Sequence, residues 1–94
     1  MSYLVVTTLD FADTDRAPVE RELAALGLLS CLVDSRNESH VLPRNTYAGV
    51  FEGPTAHALH RRLASEIRAA VGRSQSEARV FVSVGGDWSL RHAA

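Results

Sequence analysis

The sequence has one cysteine, almost no net charge and no long apolar run, and each scarcity excludes a class of protein. Its only cysteine, Cys31, precludes an internal disulfide and a cysteine-based metal cluster, and its apolar neighbours predict a small buried side chain. A formal charge of −1 gives no support to a general polyanion-binding role. No apolar segment approaches the roughly 18 residues that span a bilayer, so we expect no membrane partner and a cytoplasmic location.

The histidines and glycines also lack the spacings of familiar sites. None of the four histidines is followed by another four residues later, the spacing that lets a helix hold zinc. Gly85 and Gly86 follow a predicted strand with neither a helix nor a lysine after them, which predicts a turn or bulge rather than a phosphate-binding loop. What remains is a chain of 94 residues, 46% hydrophobic and 22% charged, which predicts one folded domain over residues 1–94.

Two patterns in the first third of the chain predict a strand and then a helix. Residues 3–9 are apolar or β-branched at odd and even positions alike, which is typical of a strand covered on both faces. Val19, Leu23 and Leu26 then recur at helical spacing, and Gly27 offers a left-handed helix end. The sequence therefore predicts a central strand followed by a helix that packs on it.

The rest of the chain repeats these patterns. Residues 28–33 and 46–52 are predicted as the second and third strands, with the polar segment 34–39 as a hairpin tip or an exposed strand extension. A second helix follows and ends near Gly72, and residues 79–84 form a fourth strand. The buried stripe of the second helix, spaced four residues apart, is expected to be Leu59, Leu63, Ile67 and Val71.

The order strand, helix, strand, strand, helix, strand predicts an α+β domain of the ferredoxin-like βαββαβ type with an antiparallel sheet. Right-handed crossovers place both helices on one face of that sheet, which leaves the other face open. Alternation along the strands places Tyr47, Phe51 and Phe81 on the open face, where a contiguous apolar patch would be a binding surface. We therefore expect a homodimer in which these rings pack against a second subunit.

Three carboxylates that follow the first strand are candidate metal ligands. Asp10, Asp13 and Asp15 are close in sequence, and carboxylates gathered at a strand end can hold Mg²⁺ or Mn²⁺. The alternative is that they form the turn and cap before the first helix, since aspartate is common at such positions.

The outer face of the second helix is a candidate nucleic-acid surface. Arg61 and Arg68 fall on one stripe of that helix and Arg62 lies beside it, so the three side chains could contact a phosphate backbone. Glu66 interrupts the group, and a solvated polar face opposite the apolar stripe is the alternative.

Three short segments resemble the CRISPR adaptation-subunit nuclease family and its SinR-like relatives outside CRISPR loci. They are Tyr3-Leu4-Val5-Val6, the stretch from Asn45-Thr46-Tyr47 to Val50-Phe51-Glu52-Gly53, and Val80-Phe81-Val82-Ser83-Val84-Gly85-Gly86-Asp87-Trp88. The resemblance implies a ferredoxin-like protomer whose sheet faces its twofold mate. It also implies that the segment after the fourth strand crosses to the partner as a short exchanged strand and places Trp88 at the interface.

One position in this resemblance bears on activity. The nucleases of the family carry their metal on an aspartate that ends the first strand, and alignment of residues 3–6 places Thr8 there. Thr8 lacks the carboxylate that a hard metal ion prefers, whereas Asp10 lies two residues on and points to the same side if the strand continues. We expect a non-catalytic homodimeric scaffold or accessory protein without a cofactor. The alternatives are a Mg²⁺- or Mn²⁺-dependent nuclease for RNA or DNA that uses Asp10, and a dimer that binds a small ligand.

Overall fold

The structure, a computed structural model, describes residues 1–34, 36–74 and 77–86. Its helices and strands follow the predicted order, with one additional short strand. They are β1 (Ser2–Asp10), a 3₁₀ turn (Asp13–Asp15), α1 (Arg16–Leu26), β2 (Cys31–Val33), β3 (Ser39–Val41), β4 (Thr46–Glu52), α2 (Ala56–Arg73) and β5 (Arg79–Gly85).

Three of the strands form an antiparallel sheet with β1 in its centre. The order is β4-β1-β5, and Val5 of β1 is opposite Gly49 on one side and Val84 on the other. β2 and β3 form a hairpin, and a bridge between Leu29 and Ala48 joins the chain just before this hairpin to β4. This mixed α+β arrangement of antiparallel strands and two α-helices in the described residues is compatible with the ferredoxin-like fold.

Both helices pack on the same face of the sheet, and their ends follow local chemistry. The Thr55 hydroxyl accepts the N–H of Ala58 at 3.0 Å and so caps α2. Gly27 ends α1 with a φ of 98°, a left-handed conformation that glycine adopts without strain. The predicted stripe of α2 is confirmed as buried, and the core that it shares with α1 and the sheet includes Val5, Leu9, Val19, Leu23, Tyr47, Leu59, Leu63, Ile67 and Val71.

The predicted location of two aromatic residues on the open face is wrong. Tyr47 is only 2% exposed and lies in the core beneath the helices, and Phe51 packs against the same core. Side chains alternate along β4 as expected, but the side that carries Tyr47 and Phe51 faces the helices. Burial of Tyr47 is possible because its hydroxyl donates a hydrogen bond to Glu20 of α1 at 2.7 Å. Between the two rings, a Cβ at Gly49 would collide with the carbonyl oxygen of Gly27, so α1 ends directly against this side of β4.

The opposite face of the sheet is only partly open, because the β2–β3 hairpin contributes side chains to it. Leu32 of the hairpin packs with Leu4 and Ala48 of the sheet. Cys31, predicted to be buried, is half-buried at the start of this hairpin. In the part of the chain that the structure describes, neither helix combines the length and apolar character needed to cross a membrane.

Candidate functional site

The exposed apolar part of the open face centres on Phe81. This ring lies on β5 opposite Thr8 and is 65% exposed, while Val82 and Val84 of the same strand turn toward the core. On the other edge of the sheet, Val50 is 61% exposed. An aromatic ring exposed to this extent on a sheet face is removed from water only when another surface packs on it.

Of the four predicted interface residues, the structure leaves Phe81 on this face. Tyr47 and Phe51 lie on the helix-covered side, as described above. Trp88 falls outside the described residues. β5, which carries Phe81, has a free outer edge among the described strands, because its sheet neighbour is β1 alone.

Asp10, the candidate catalytic and metal-binding residue, is paired with an arginine. It ends β1 directly opposite Arg79, the first residue of β5. One carboxylate oxygen of Asp10 accepts hydrogen bonds from two guanidinium nitrogens of Arg79, at 2.6 Å and 3.2 Å. Although both side chains are exposed, the positive charge beside the carboxylate opposes the approach of a divalent cation. Sequence reasoning missed Arg79, and the signal that identifies it is the antiparallel register of β1 with the last strand.

The other two candidate carboxylates lie in the 3₁₀ turn that leads into α1, as the turn-forming alternative predicts. Asp13 accepts hydrogen bonds from Arg44 at 2.6 Å and from Arg16 at 3.1 Å. The hydrogen bond from Arg44, followed by that from Arg16, holds the pKa of Asp13 below its usual range. Asp15 is half-buried, and its side chain makes no capping hydrogen bond to α1. The structure therefore does not gather the three carboxylates around a common point.

The arginines of the candidate nucleic-acid surface lie on α2 away from the core. Arg61, Arg62 and Arg68 are exposed, and none of them forms an ion pair with a described residue. Arg68 also lines a groove of ≈ 350 Å³ between α2 and β5, whose other walls include Ala64 and Val82. The outer face of α2 therefore carries a local excess of positive charge on a chain with a formal charge of −1.

Comparison with models of protein families, with curated proteins and with solved structures finds no match.

Proposed function

We propose that this protein is a non-catalytic homodimeric module, a scaffold or accessory whose open sheet face packs against a second copy of the chain. Exposed Phe81 carries the proposal. It lies on a strand whose outer edge pairs with no other described strand, so a partner can cover the ring and extend the sheet from the same side. The resemblance noted in the sequence implies the same kind of dimer.

Charge also supports self-association. Two copies with a formal charge of −1 each repel one another only weakly. A twofold axis near Phe81 would place the ring against the same apolar face of its mate, which is how an isologous interface is built.

The Asp10–Arg79 pair supports the non-catalytic part of the proposal. A nuclease that binds Mg²⁺ or Mn²⁺ needs an anionic site for the cation, and here a guanidinium faces the carboxylate at 2.6 Å. Thr8, next to Phe81 across the sheet, supplies only a hydroxyl. Among the described residues, the carboxylate that ends β1 is therefore paired with an arginine.

Sedimentation velocity tests the dimer. The wild-type chain should sediment at about twice its mass of 10.2 kDa at micromolar concentration. Phe81→Glu should shift the protein toward monomer, because it places a charge on the proposed contact face. Arg62→Glu, a charge change on the opposite side of the molecule, is the matched control and should leave the dimer intact. A wild-type monomer, or a dimer that Phe81→Glu leaves unchanged, would contradict the proposal.

Nucleic-acid contact by the outer face of α2 is a second candidate, and it is favoured by the three arginines outside ion pairs. Binding of labelled RNA or DNA should weaken with salt and should fall when Arg61 and Arg68 are replaced by glutamine. Replacement of Arg36, an exposed arginine of the hairpin, is the control. Equal losses in both variants would indicate non-specific attraction rather than an α2 surface.

A further inference from the structure

We propose that the β2–β3 hairpin binds one divalent transition-metal ion through Asp34, Glu38 and His40. One ligand atom from each of these side chains lies within 4.8 Å of the other two. The site is separate from the Phe81 face and from the Asp10–Arg79 pair, so it goes beyond the proposed dimer and does not depend on it.

The backbone of the hairpin fixes the first ligand. The N–H of Asp34 donates to the carbonyl oxygen of Glu38 at 2.9 Å, which closes the turn. Oδ1 of Asp34 in turn accepts the N–H groups of Arg36 and Glu38, each at 2.9 Å. These bonds hold the carboxylate so that its other oxygen, Oδ2, lies 2.8 Å from Nε2 of His40.

The strand register fixes the second ligand. His40 is opposite Leu32 in the hairpin, and Leu32 is anchored in the small core around Leu4 and Ala48. The imidazole is thereby held on the same side of the hairpin as a buried leucine. Adjacent ligands bound to one ion at about 2.1 Å are about 3.0 Å apart in an octahedral site and about 3.4 Å apart in a tetrahedral one, so the 2.8 Å separation of Nε2 and Oδ2 has to widen only slightly.

Glu38 completes the set as the third ligand. Its side chain is exposed and makes no hydrogen bond or ion pair with the described residues. Ligand atoms bound to one ion at about 2.0–2.2 Å are at most about 4.4 Å apart, so a small rotation of this side chain brings its carboxylate into range. When the ion binds Nε2, the hydrogen shared between Nε2 and Oδ2 leaves to solvent or moves to Nδ1, so that the bound imidazole is neutral and carries its one hydrogen on Nδ1.

The donor set and its charge indicate the kind of ion. One imidazole with two carboxylates suits Zn²⁺, Co²⁺, Ni²⁺ or Mn²⁺, whereas Mg²⁺ and Ca²⁺ prefer oxygen ligands alone. In contrast to Asp10 and Asp13, neither carboxylate of the hairpin is paired with a described arginine.

Titration of the full chain, without a histidine tag, with Co²⁺ and Zn²⁺ tests the site. We expect one equivalent bound per chain, with a visible Co²⁺ absorption band and a calorimetric signal for Zn²⁺. His40→Gln and Glu38→Gln should each weaken binding at least tenfold. His60→Gln removes an exposed imidazole from α2 and is the matched control, which should bind as tightly as the wild type.

Two results would overturn the site. One is an absence of stoichiometric binding by the wild-type chain, and the other is binding that His40→Gln leaves unchanged or that His60→Gln weakens as much. If His40→Gln disturbs the fold, Glu38→Gln decides, because the Glu38 side chain supports no described contact. Selective broadening of the His40 ring signals by substoichiometric Mn²⁺ in NMR spectra should identify the same ligand independently of any variant.

Discussion

At the scale of single residues, the hydroxyl of Tyr47 shows how a polar group enters this core. It donates to Oε2 of Glu20 at 2.7 Å, and a guanidinium nitrogen of Arg16 lies 3.7 Å from the same oxygen. Burial, followed by the hydrogen bond to Glu20, raises the pKa of Tyr47 to about 12. The protonated phenol is therefore the form that the folded state stabilises.

This bond predicts a loss of stability in alkali. The folded pKa of Tyr47, about 12, exceeds the ordinary value of 10.0, so its contribution is fully present below pH 10 and is lost as the pH rises through 12. Tyr47→Phe should remove this part of the pH dependence, because phenylalanine has no proton to lose. Urea denaturation on both sides of pH 10 measures the slope. Identical slopes for the variant and the wild type would show that Tyr47 does not govern the alkaline limit.

A second prediction at this scale concerns Asp10. Because Arg79 faces its carboxylate, we expect no strong Mn²⁺-dependent cleavage of RNA or DNA by the wild-type chain. Asp10→Ala should change stability little, since the pair is exposed to solvent. A gel assay with and without Mn²⁺ measures cleavage. Robust activity that disappears in Asp10→Ala would restore the nuclease alternative, whereas weak activity unaffected by the change would indicate a contaminant.

At the scale of elements, α2 holds the two layers of the domain together. Leu63 and Ile67 are fully buried on its inner stripe, and Arg62 is exposed on the outer side. Leu63→Ala and Ile67→Ala should each destabilise the fold by roughly 2–4 kcal/mol, because each leaves a cavity between α2 and the sheet. Arg62→Ala should have a small effect by comparison. Chemical denaturation measures all three, and equal losses would mean that the faces of α2 are assigned incorrectly.

The buried side of α2 could be predicted from the sequence, whereas the buried side of β4 could not. Four apolar residues at four-residue spacing define which side of α2 is buried, without reference to any other element. In β4, alternation separates Tyr47 from Ala48 but does not say which side faces the helices. In the structure, Glu20 of α1 accepts the hydrogen bond of the Tyr47 hydroxyl, a long-range contact that the alternation of β4 does not reveal.

The hairpin illustrates a second limit of sequence reasoning. Residues 39–41 form a strand although they lack an apolar pattern, because their pairing with β2 comes from the backbone and from the turn that Asp34 organises. The polar turn was predicted, but the grouping of Asp34 with Glu38 and His40 was not. The signal is their spacing. Asp34 precedes the tight turn and His40 follows Glu38 by two residues, so their side chains meet across the two strands.

At the scale of the whole molecule, the hairpin limits how a second copy can dock. Leu32 packs with Leu4 and Ala48, so this part of the sheet face is already occupied within one chain. The exposed apolar side chains that remain on this face are Phe81 on β5 and Val50 on the opposite edge. An interface around Phe81 would use the face of β5, the last described strand of the chain. The resemblance noted in the sequence implies that the segment after β5 contributes to the same interface.

The only tryptophan, Trp88, gives a direct test of that implication. Trp88 lies outside the described residues, and the expectation that it packs against the partner subunit comes from the resemblance. A large ring desolvated at an interface emits at shorter wavelength than one in water, and its truncation typically weakens binding by more than about tenfold. We therefore expect blue-shifted emission from the wild-type dimer, a red shift in Phe81→Glu, and weaker dimerisation in Trp88→Ala. Solvent-like emission from a wild-type dimer that Trp88→Ala does not weaken would mean that the two subunits associate through the sheet face alone.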